Sequence, residues 1–76
     1  MRITVKLYAN LREYSNGEGT ISLELAENSS VMDTLKHFKI PENETKIIMV
    51  NGIRAKPDTI VQDGDRVAIF PPIAGG

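Results

Sequence analysis

Ile3, Val5 and Leu7 alternate with Arg2, Thr4, Lys6 and Tyr8. A period of two suits a strand that turns one face to a core and the other to water, so the first strand is predicted over residues 2–8. The pattern returns over Thr20-Ile21-Ser22-Leu23-Glu24-Leu25. Between the two, Ala9 to Tyr14 is predicted as a helical turn and Ser15-Asn16-Gly17-Glu18-Gly19 as a bend, and near neighbours of this kind pair antiparallel. The period then changes. Val31, Leu35 and Phe38 fall on one helical stripe, Ser30 with Asp33 has the spacing of a capping box, and Pro41 stops the helix near Lys39.

Lys46 to Asn51 reads as a third strand. Asn51-Gly52 marks a tight turn because both residues tolerate positive φ, and Ile53-Arg54-Ala55 is expected as a short returning edge strand. Pro57-Asp58-Thr59 and Asp63-Gly64-Asp65 read as turns, with Ile60 and Val61 as an apolar plug between them. Arg66 to Phe70 is the last strand. The order is strand, strand, helix, strand, short strand, strand, which predicts an α+β, mixed β-grasp sheet with one helix on one face and the first and last strands parallel. The expected organisation is a single domain over 1–76 whose tail begins at residue 71.

A chain of 76 residues buries only about 60% of its unfolded surface, which leaves room for one thin core and no deep cleft. The net charge of −1 argues against a nucleic-acid footprint. The charge is uneven: Lys36, Lys39, Lys46, Arg54 and Lys56 face only Glu42 and Glu44 over residues 36–57, a dipolar surface suited to docking on a protein. Without cysteine, thiol catalysis, disulfides and cysteine-held metals are excluded. His37 is expected in solvent, Asp58, Asp63 and Asp65 in turns rather than on a metal, and Met32 and Met49 as gap-fillers among apolar neighbours. No apolar run of signal-peptide or membrane-helix length is present, so a cytoplasmic location is expected.

The end of the chain is the chemically distinctive part. Pro71-Pro72 cannot continue a hydrogen-bonded ladder, so the chain leaves the sheet there in a stiff extended form. Ile73-Ala74-Gly75-Gly76 follow, four residues able to reach roughly 13 Å. Gly75 and Gly76, lacking side chains, suit threading through a narrow slot, although a frayed glycine end has the same composition. The terminal carboxylate is ionised at neutral pH and is a poor acyl donor, so a separate activator is required. If Val67 and Ile69 face the helix, alternation sends Phe70 outward as an anchor for a partner; the other reading has Phe70 capping the edge of the core.

Val5 through Glu13, Ser30 through Leu35, Val50-Asn51-Gly52 and above all Asp63 through Gly76 resemble the MoaD/ThiS group of ubiquitin-like sulfur carriers, and the Phe70-Pro71-Pro72 step resembles its molybdopterin branch. The resemblance implies a carrier rather than an enzyme. An ATP-using MoeB/ThiF-like enzyme would adenylate Gly76, and a sulfur donor would convert the acyl-AMP to a thiocarboxylate, with AMP and sulfur as transient covalent groups and no bound cofactor or metal. A MoaE-like synthase subunit would receive the tail and hold a cyclic pyranopterin acceptor. By the same resemblance Gly76 carries the reactive acyl group, Gly75 and Ala74 thread the partner, and Phe70, Pro71, Pro72 and Ile73 dock. Relatives with this ending also modify lysines, so conjugation, a thiamine-type carrier and a plain interaction module remain open alternatives.

Overall fold

The computed structural model describes residues 1–72. Five strands form one sheet: β1 (Arg2–Leu7), β2 (Thr20–Glu24), β3 (Ile47–Val50), β4 (Ile53–Arg54) and β5 (Arg66–Phe70), in the order β2-β1-β5-β3-β4. β1 pairs antiparallel with β2 and parallel with β5, so the first and last strands lie side by side at the centre. A single α-helix, α1 (Val31–Phe38), lies over one face, and 3-10 segments occupy Ala9–Ser15 and Glu42–Glu44. This is the β-grasp arrangement expected from the element order.

Alternation decides which side chains meet the helix. Ile3, Val5 and Leu7 of β1, Leu23 of β2, Ile48 of β3, and Val67 and Ile69 of β5 are buried together with Val31 and Leu35 of α1. Removing each such side chain from water is worth about 1.5–3 kcal/mol, the main term holding so small a fold together. Leu11 and Val61 seal the ends of the same cluster.

The ends of α1 are closed in different ways. At its start the capping box forms, and the Asp33 carboxylate accepts the Ser30 N–H at 2.8 Å. The next free donors reach a distant loop: Val31 N–H bonds the Thr59 carbonyl at 2.9 Å and Met32 N–H the Pro57 carbonyl at 2.8 Å. These bonds clamp the 57–61 segment over the first turn. At the other end Lys39 takes the left-handed conformation (φ 61°) and Ile40 N–H returns to the Leu35 carbonyl at 2.9 Å, a Schellman-type stop just before Pro41.

Two expected placements are corrected. Ile60 does not plug the core beside Val61; it is 52% exposed, because a bridge to Ser30 fixes the strand-like phase of this segment and only Val61 turns inward. Met49 pairs with Ala68 and Arg54, between inward-facing Ile48 and Val50, and so lies on the face away from the helix rather than among core residues. Met32, by contrast, packs against the core as expected. The Asn51-Gly52 turn has both residues at positive φ (54° and 82°), the twist that suits a two-residue hairpin.

Candidate functional site

The site is built where β5 ends. Val67 and Ile69 are buried, so Arg66, Ala68 and Phe70 project from the helix-free face. In the parallel register Lys6 lies beside Ala68, which carries Tyr8 to the level of Phe70. Their rings stack with centroids 4.3 Å apart and planes 11° from parallel. An offset or stacked aromatic pair of this kind is worth about 0.5–1.5 kcal/mol beyond its buried area. Phe70 is thus an outward residue held in place, and the reading in which it caps the core edge is set aside.

The backbone is fixed at the same point. Lys46 N–H donates to the Phe70 carbonyl at 2.7 Å, and Tyr8 N–H donates to the Ile69 carbonyl at 3.3 Å. The inward parity of Val67 and Ile69 extends one step further, so Pro71 is buried while Pro72 is exposed. Of the residues expected to dock a partner, Phe70 and Pro72 therefore offer surface, whereas Pro71 is seated against the domain. Ile73, expected to dock, and Ala74, Gly75 and Gly76, expected to thread the partner and carry the acyl group, lie outside the described residues.

A shallow groove of about 320 Å³ runs along this face, lined by Lys6, Tyr8, Met49, Arg66, Ala68 and Phe70 among others. Its floor is apolar and its rim cationic. The register places Arg2, Lys6, Arg66 and Arg54 on the same face, against Glu24. Arg2 is engaged with Glu24 at 2.8 Å, the one ion pair among the described residues. A smaller cleft of about 200 Å³ is lined by Glu42, Lys46, Arg54 and Lys56 among others. The cations that line the groove, Lys6 of β1 and Arg66 of β5, thus come from outside the 36–57 segment whose charge the sequence singles out.

Other candidates have structural work. Asp63 accepts the Arg2 N–H at 2.7 Å. Asp65 accepts the Gln62 N–H at 2.8 Å and an Asn51 side-chain N–H at 2.9 Å, which joins the Asn51-Gly52 turn to the Asp63-Gly64 turn. His37 is exposed, with its ring edge-on to Phe38 at 4.9 Å. Among the described residues no group of acidic or histidine side chains is placed to hold a metal, and no helix is long and apolar enough to cross a membrane.

Tyr8, Lys6, Met49 and Arg66 escaped the reading of the chain alone. The signal was present in the outward phase of Tyr8 and Lys6, but it needs the β1–β5 register to bring them to Phe70.

A β-grasp body whose central C-terminal strand runs through a proline pair into a glycine-ended tail defines a ubiquitin-like carrier or modifier. A family model described as the ThiS family matches residues 5–76, and the chain belongs to that family, whose members are small sulfur carriers and modifiers. Among solved structures, the putative molybdopterin converting factor subunit 1 from Pyrococcus furiosus is 29% identical, with a TM-score of 0.75 over 96% of this chain and 99% of that one. Small archaeal modifier protein 1 from Methanosarcina acetivorans is 27% identical, with a TM-score of 0.71 over 99% and 96%. The complex of subunits 1 and 2 of the molybdopterin-converting factor from Helicobacter pylori contains a chain 18% identical with a TM-score of 0.63, each chain fully covered, a likeness of fold. No curated protein matches the chain at the same stringency.

Proposed function

We propose that the protein is a sulfur carrier whose Gly76 is loaded by a MoeB/ThiF-like enzyme and unloaded on a MoaE-like subunit during cytoplasmic molybdopterin synthesis. The observation that carries this reading is the sequence Pro71-Pro72-Ile73-Ala74-Gly75-Gly76 directly after β5, a strand whose outward side chains line an apolar groove with a cationic rim. A Gly76 carboxylate oxygen attacks the α-phosphorus of ATP and pyrophosphate leaves. A sulfide donor then attacks the acyl-adenylate carbon and AMP leaves, so one terminal oxygen is exchanged for sulfur; a persulfide donor gives an acyl disulfide instead, from which a partner thiol releases the thiocarboxylate by attacking the donor's sulfur and forming a disulfide with it. The thiocarboxylate sulfur is the nucleophile delivered to an electrophilic pterin precursor. Catalytic side chains are supplied by the partners, and the carrier contributes reach, a docking face and the acyl group.

Intact-mass measurement after incubation with the activating enzyme, ATP and a sulfur donor tests this. The expected product carries sulfur in place of one oxygen at Gly76, and an unmodified mass under conditions that load a known carrier overturns the proposal. The second reading, a protein modifier, is favoured by the similarity to the archaeal modifier. There a lysine amine rather than a sulfur donor attacks the same adenylate, and Gly76–lysine remnants in digested extracts are its signature.

A further inference from the structure

The two edges of the sheet are unlike. β4 is only two residues long and ends in Arg54, whereas β2 presents five residues in unbroken register with β1, without a lysine, proline or bulge. Edge strands are ordinarily blunted by such devices, since their free main-chain groups invite another strand. Leu25 exchanges hydrogen bonds with Met1, and Leu7 N–H bonds the Gly19 carbonyl at 3.0 Å. In an antiparallel ladder this phase commits Ile21 and Leu23 to β1 and turns the N–H and C=O groups of Thr20, Ser22 and Glu24 away from the sheet. No turn, loop or helix among the described residues bonds them. On the helix side of this edge Ile21 and Leu25 are only half-buried.

Charge selects the occupant. Exposed Glu18 and Glu27 flank β2 with no cation partner among the described residues, and Glu24 is offset by Arg2. A second copy paired antiparallel about Ser22 would set each Glu18 opposite the other copy's Ala26, one position from its Glu27, and so would gather acidic residues at both ends of the joint with no cation to offset them. We propose that the β2 edge accepts, by strand addition, an extended partner segment with alternating apolar side chains and lysine or arginine at its ends. The apolar residues of that segment would cover Ile21 and Leu25, and its cations would meet Glu18 and Glu27. This surface lies two strands from β5, roughly 10 Å across the sheet, so its occupant and a partner on the tail can be held together.

Amide hydrogen exchange of the full chain, titrated with a short alternating valine–threonine peptide bearing a lysine at each end, tests the proposal. The Thr20, Ser22 and Glu24 amides should slow by about tenfold or more while Ile21 and Leu23 change little, an alternation specific to an added strand. A glutamate-ended peptide should bind about tenfold more weakly, with the difference shrinking in salt. The double variant Glu18→Lys/Glu27→Lys should reverse the preference. Absence of alternating protection, equal affinity for both peptides, or β2 protection that rises with protein concentration alone would overturn the proposal. The tail takes no part in this measurement, so its result and that of the Gly76 mass measurement are independent.

Discussion

Thr34 sits on α1 at zero exposure, and its hydroxyl has no hydrogen-bond partner among the described residues. A buried, unpaired hydroxyl costs about 1–3 kcal/mol relative to an apolar group of the same shape. Thr34→Val should therefore stabilise the protein by about 1 kcal/mol, a rise in Tm of roughly 4–8 °C for a domain of this size, read by calorimetry or circular dichroism. A lower Tm would mean that the hydroxyl is satisfied after all. Nothing in the helical periodicity marks this site, because a threonine one position before Leu35 has the same local pattern whether it faces solvent or core. The left-handed Lys39 was equally invisible in its own letter, though Pro41 announced the stop that it makes. Asn51 and Gly52, in contrast, were legible residue by residue, since positive φ is what their side chains tolerate best.

At the scale of elements, the strands and helix were legible wherever a full period was present, and misplacements fell where it was not. Ile60 and Val61 form a pair with no repeat on either side, so only the bridge to Ser30 decides which faces inward. Met49 lies in the apolar run Ile47–Val50, which hides its alternation. The two 3-10 segments, 9–15 and 42–44, meet through a contact that sequence gives no reason to expect: Tyr14 donates its phenolic O–H to the Glu44 carboxylate. That hydrogen bond, followed by slight burial and nearby carboxylate charge, raises the Tyr14 pKa above the ordinary phenol value. The neutral phenol is the bonded form, so this contribution is full below the unfolded pKa and lost as pH rises through the higher folded one. Glu44→Gln should shift the alkaline absorbance titration of Tyr14 downward toward the ordinary phenol range. An unmoved titration would show that the tie between the two segments does not hold in solution.

Over the whole molecule, a chain with net charge −1 gathers Lys6, Arg66 and Arg54 on the helix-free face while Glu18 and Glu27 border the opposite edge of the sheet. The polarity cannot be read along the chain, because it is assembled by the parallel β1–β5 pairing across more than sixty residues of sequence. If the tail face docks an activating enzyme, Lys6→Glu with Arg66→Glu should lower the rate constant of Gly76 loading at limiting carrier by about tenfold at low salt, and less at high salt. Equal loading at all ionic strengths would place the docking surface elsewhere. The central position of β5 has a mechanical corollary. A machine hauling on a molecule tethered through its carboxyl end, with the amino-terminal strand held, would load the parallel β1–β5 ladder along its length rather than peel it from one end. The hydrogen bonds of that seam would then resist together, and even so small a domain would be stubborn against being pulled apart.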